Sequence, residues 1–198
     1  MPGPDLGRIK GAAFRGFVEW IERERGAAAL DAMVAALPPE DLALLARGRP
    51  AMGILTGTWY PAAMVNRFLD RVSEGLTALQ QKALARRGAE AIMGANVKGV
   101  YKALFTLFVS PRIYAHSIQR FWDLHYDSGT VETVQEGPRR NRSTIAGWRA
   151  HHPFGCLLNL ASAYAIYGAM GCIGVRTWRE ACVGQGGPAC VYVVEWAE

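Results

Sequence analysis

The chain has 198 residues, 51% hydrophobic and 20% charged, enough for one sizeable core and too short for two comfortable domains. Its 22 Lys and Arg against 17 Asp and Glu leave a formal charge of +5, which permits an acidic partner but gives no footprint for a specific nucleic acid. The opening MPGPDLGRIKG lacks an apolar h-region and the four cysteines lack the spacing of a small secreted domain, so a cytoplasmic protein is expected.

The first half reads as helices. Ile9, Ala13, Phe17, Trp20 and Ile21 recur at helical spacing, and Gly26 stops that run. AAALDAMVAAL predicts a second helix ending at Pro38-Pro39, and PEDLALLARG a third with Glu40 and Asp41 in its first turn. After an irregular RPAMGILTGTWYP, Met64, Phe68 and Val72 mark a fourth. One or two more follow from Leu76 to Phe108, and no strand is expected among residues 60–109.

The period then changes. Ser110-Pro111 is an N-cap followed by an N1 proline, opening a helix that Asp127-Ser128-Gly129 closes. TVETVQE and STIAGW alternate as partner strands around GPRRN, and RTWREACV and ACVYVVEW do so around GQGGP. Between the hairpins, Phe154 to Val175 carries no charge and is about long enough to span a bilayer. Its polar and glycine content, with a β-patterned stretch following at once, favours a central helix running into a buried strand over a membrane span. The fold class expected is α+β in one domain over 1–198. Residues 1–128 are mostly helical and pack on a four-stranded antiparallel sheet, β-β-α-β-β, in 129–198.

In the last hairpin, pairing Val183 with Ala189 sets Cys182 opposite Cys190, Glu180 opposite Tyr192 and Trp178 opposite Val194. Glu180, Cys182 and Cys190 then converge on one face, where zinc would need one outside ligand. A disulfide is geometrically open. Without a C-x-x-C pair, however, small buried thiols are the favoured reading. Six aromatic side chains, Phe105, Phe108, Tyr114, Phe121, Trp148 and Tyr164, are placed to line a pocket between helices and sheet. The basic run RRNRSTIAGWRAHH reads as a solvated hairpin, and His151-His152 has no partner cluster to make a metal site. No nucleophile elbow, H-E-x-x-H, P-loop or dinucleotide fingerprint is present, and no enzyme is expected.

Glu180, Cys182, Gly186, Cys190 and Tyr192 resemble the closing hairpin of vinyl-reductase-type, hydrocarbon-binding domains. IKGAAFRGFVEWIERERGAAALDAMV is similar to the opening helices of haem nitric-oxide-binding domains. TWYP at 58–61 and FWDLHYDSGTVE at 121–132 resemble a paralogous myxobacterial family of about this length. These resemblances imply an α+β sensor-type fold with an internal pocket, apolar ligands, and in some relatives zinc on the hairpin cysteines. The haem-binding relatives grip propionates through Tyr-x-Ser-x-Arg; here Tyr126 and Ser128 are followed by Thr130, which removes the bidentate donor. His116 and His125 remain as axial candidates, on roughly opposite sides of their helix.

The expected function is therefore a non-enzymatic regulatory module that binds a small apolar molecule or another protein, with a homodimer admitted. A haem-binding gas sensor and a ligand-free scaffold are the alternatives. No cofactor is expected, with haem and zinc as the alternatives.

Overall fold

The computed structural model describes residues 5–96 and 110–197. Strand β1 (Arg8–Lys10) leads into α1 (Gly11–Arg25), followed by α2 (Ala27–Ala35) and the single turn α3 (Pro39–Leu42). β2 (Trp59–Pro61) pairs antiparallel with β1 and runs straight into α4 (Ala62–Ser73); α5 spans Ala78–Asn96. After the undescribed stretch come α6 (Pro111–Asp123), β3 (Thr130–Gly137), β4 (Arg140–Ala146), α7 (Pro153–Ala169), β5 (Ile173–Ala181) and β6 (Cys190–Ala197). The sheet is antiparallel in the order β3-β4-β6-β5, so the expected α+β class and four-stranded sheet are observed.

The core forms where the amphipathic faces meet. Phe17, Ile21, Leu30, Val34, Met64, Val72 and Phe154 are all buried, each removing roughly 1.5–3 kcal/mol of apolar exposure. Helix α7 packs on α5 with one side and on β5 and β6 with the other, while α6 lies along β3. Helix α6 starts as read, with Ser110 Oγ accepting from Ile113 N at 3.3 Å and Pro111 at the first turn.

Four features differ from expectation. The third helix shrinks to four residues, and Leu44, which would have continued its apolar face, is 43% exposed. The β1–β2 pair puts a strand at Trp59–Pro61; three residues are too few for a period of two to show. The uncharged run divides into helix and strand as expected, with α7 ending at Ala169 and β5 starting at Ile173 across Gly171 at a φ of 88°, but β5 is exposed or half-buried along its length rather than buried. Among the described residues no helix is long and apolar enough to cross a membrane. Finally, a bulge between Arg179 and Ala181 shifts the last hairpin: Arg179 pairs with Tyr192 and Trp178 with Val193.

The basic run is absorbed by carboxylates. On the outer sheet face Arg140 bridges Glu136 at 2.7 Å and Glu195 at 2.6 Å, and Arg142 pairs with Glu136 and Glu180. Arg149 reaches Asp5 at 2.6 Å.

Candidate metal centre

The start of α7 is fixed by a histidine. His152 Nδ1 accepts from Phe154 N at 3.1 Å and Gly155 N at 3.3 Å, which makes it the N-cap and leaves Nε2 to donate to Asp70 Oδ1 at 3.0 Å. Pro153 occupies the first helical position. This start sets Cys156 in the first turn, near the positive end of the helix dipole, and His151 just outside it.

The hairpin between β5 and β6 closes on the same spot. Cys182 O accepts from Gln185 N at 2.9 Å and Gly187 N at 3.0 Å, curling GQGGP over the end of the strand. Gly184 belongs here for want of space: a Cβ on it would lie 2.9 Å from His151 Cε1.

Four ligand-type atoms therefore converge, from His151, Cys156, Cys182 and Cys190, all within 4.8 Å of one another. Cys156 Sγ is 3.7 Å from both Cys182 Sγ and Cys190 Sγ, and Cys190 Sγ is 3.8 Å from Cys182 Sγ. His151 Nε2 lies 3.3 Å from Cys182 Sγ. A tetrahedral zinc with bonds of about 2.3 Å to sulfur requires sulfur–sulfur edges of about 3.8 Å. The three cysteines are unbonded, buried thiols, and the triangle they form has that edge.

The electrostatics are uneven. Cys156 is held well below the usual thiol range, first by its hydrogen bond with Cys190 and then by those with His151, Tyr192 and Arg179. Cys190 is pushed the other way, by its bond to Cys156 and by burial. Tyr192, 3% exposed, places its hydroxyl 2.8 Å from Cys156 Sγ, and Arg179 Nη1 lies 3.4 Å from the same sulfur. These neighbours favour the thiolate at Cys156 over that at Cys190, and a bound cation would displace the remaining thiol protons.

Of the residues expected to form a zinc site, Cys182 and Cys190 meet and Glu180 does not. The bulge turns Glu180 to the outer face, where it pairs with Arg140 and Arg142. Its place beside the cysteines is taken by Arg179, while His151 and Cys156 come from 31 and 26 residues before Cys182. The His-His-Pro run was the only signal for His151, and a cysteine inside an apolar helix carries none for Cys156.

The aromatic candidates occupy separate places. Tyr114 stacks on Phe121 at 6.2 Å and meets Tyr167 edge-on, while Tyr164 lies under Arg86 at 4.2 Å. Trp148 packs edge-on against Trp122, Tyr126 and His151, at 5.2, 5.4 and 5.5 Å. Phe105 and Phe108 lie outside the described residues. A cleft of about 680 Å³ opens beside this aromatic group, lined by Trp59, Asp123, Tyr126, Asp127, Ser128 and Thr130 among others.

As a haem site the described residues fit poorly. His116 is exposed, with Nδ1 2.8 Å from Arg112 O, and His125 is half-buried with Nδ1 2.8 Å from Phe121 O. Burial lowers the His125 pKa. Neither lines the cleft, whose charged groups are carboxylates that would repel propionates. Ser128, which lines the cleft, and Trp148 each bury a polar atom without a partner, Ser128 Oγ and Trp148 Nε1.

No protein-family model and no curated protein matches the sequence. Solved structures do. The Fe(II) unliganded H-NOX protein from K. algicida aligns over 96% of this chain and 97% of its own, at 13% identity and a TM-score of 0.71. An H-NOX protein from S. oneidensis in the Fe(II)NO ligation state aligns over 96% and 99%, at 11% identity and a TM-score of 0.68. At these identities the likeness is one of architecture, and the architecture this chain shares is that of the H-NOX proteins.

Proposed function

We propose that the chain is a non-catalytic, sensor-type domain on an H-NOX-like scaffold, organised around a zinc ion held by His151, Cys156, Cys182 and Cys190. The observation that supports this most is the sulfur triangle with edges of 3.7–3.8 Å, closed on one side by a histidine nitrogen. Four protein ligands leave zinc no open position, which is the pattern of a structural centre rather than a catalytic one. Zinc there would tie the loop before α7, the first turn of α7 and both strands of the closing hairpin into one unit.

The second reading is a haem-binding gas sensor, favoured over a small apolar ligand by the fold shared with Fe(II) H-NOX proteins. The two readings concern different places and are separated by one preparation. Elemental analysis together with visible absorbance, on protein expressed with zinc and haem precursor, should give one zinc per chain. Zinc below 0.2 per chain after exhaustive reloading would sink the zinc reading. A stoichiometric Soret band lost on replacing His125 or His116 would promote haem.

A further inference from the structure

We propose that Arg179, assisted by Tyr192, is the positioning residue of the zinc centre, cancelling its net charge and suppressing the reactivity of the Cys156 sulfur. This rests on the zinc reading above and assigns the neighbours of that site a role. Three thiolates, a neutral imidazole and a divalent zinc sum to one negative charge, and a buried uncompensated charge is costly. One half-buried guanidinium faces it: Arg179 Nη1 is 3.4 Å from Cys156 Sγ. Among the described residues no carboxylate is paired with Arg179, whereas Arg140, Arg142 and Arg176 on the opposite face all are. A half-buried guanidinium without a carboxylate partner is well matched by an anion, and the sulfur cluster is the group within reach.

The arrangement follows from the bulge. In a regular ladder Glu180 would stand across from Tyr192, and a carboxylate would face the thiolates. The shift between Arg179 and Ala181 puts the cation there and sends the carboxylate to the far face. Tyr192 completes the shell with its hydroxyl, 2.8 Å from the same sulfur and 3.4 Å from Cys156 O. Both donors converge on Cys156, whereas Cys182 has its polar neighbour in His151. Donated hydrogen bonds and a nearby positive charge draw electron density off a zinc-bound sulfur, which strengthens the site against protons and weakens the sulfur as a nucleophile.

The test uses the full chain, with Zn(II) and Co(II) as probes. Wild type, Arg179→Gln, Arg179→Lys and Tyr192→Phe are compared by chelator competition, by the sulfur-to-cobalt charge-transfer band, and by the rate of Cys156 alkylation in zinc-loaded protein. Arg179→Gln should bind zinc about 10–100-fold more weakly. It should also shift the cobalt band to lower energy and alkylate faster at Cys156 than at Cys182 or Cys190. Arg179→Lys should recover most of the affinity, and Tyr192→Phe should show the same signs with smaller size. A merely structural arginine would change melting of metal-free protein without moving the cobalt band. Affinities within twofold, an unmoved band and unchanged alkylation selectivity would overturn the assignment while leaving the zinc reading intact. Wild type without zinc would overturn both.

Discussion

Cys156 separates a metal centre from a packed hairpin, because it is the sulfur that both hairpin cysteines approach at 3.7 Å. Replacing it with serine is expected to weaken zinc binding by at least about 100-fold, the upper end of what losing a mere outer-shell partner costs. Glu180→Gln is expected to leave zinc untouched, since Glu180 belongs to the outer ion-pair network with Arg140 and Arg142. Chelator competition on the two variants checks both; a large loss in Glu180→Gln would restore the regular hairpin register. A pH dependence follows from Cys190. Its thiol is pushed up by Cys156 and by burial, so it stays protonated at neutral pH in metal-free protein. Zinc accepts only the thiolate, so uptake must release that proton, and affinity must fall as pH falls. Each proton released changes the apparent affinity about tenfold per pH unit. Calorimetry in buffers of different ionisation enthalpy should record at least one proton released between pH 6.5 and 8. No buffer dependence would mean the site is already ionised or empty.

At the scale of elements, α1 and α5 cross where α5 has no side chain. A Cβ on Gly88 would lie 2.8 Å from Phe17 Cε2 and 3.1 Å from Trp20 Cζ3, both rings buried. Alanine gains about 1 kcal/mol in helix propensity, but overpacking a fixed aromatic pair costs about 1–3 kcal/mol. Gly88→Ala should therefore lower the melting temperature by up to roughly 8 °C. Gly57→Ala, with nothing within 4 Å of the new methyl, should be nearly silent. Raised stability in Gly88→Ala would show that the helices can slide apart. Periodicity announced both helices and both hairpins because burying one face demands it. Phe17 and Ile21 are buried on one face of α1, and the alternation of TVETVQE holds in β3 only as far as Thr133, with Val131 buried and Val134 50% exposed. What periodicity cannot carry is a bulge, since one extra residue changes no local preference and yet swaps Glu180 for Arg179. Nor can it carry the candidate site: the pattern holds Cys182 and Cys190 together, whereas His151 and Cys156 join only through tertiary packing of α7 on the sheet.

Across the whole molecule the four ligand residues join segments that otherwise touch the core separately. His151 lies between β4 and α7, Cys156 in the first turn of α7, and Cys182 and Cys190 at the facing ends of β5 and β6. The same histidine presses edge-on against Trp148, which in turn meets Trp122 and Tyr126 at the end of α6. Metal occupancy should therefore be felt as far as α6. A ligand bound only by the folded state stabilises by about 4 kcal/mol when present at 1,000 times its dissociation constant. For a chain of this length that corresponds to roughly 8–16 °C. Chelation should lower the melting temperature of wild type by that order and change its tryptophan emission. In Cys156→Ser, already without a complete site, chelator should do neither. Trp148→Phe provides the internal control, because it should keep most of the melting shift and lose most of the emission change. A chelator shift of the same size in wild type and Cys156→Ser would place the metal elsewhere. An emission change that survives in Trp148→Phe would break the link from His151 to the end of α6.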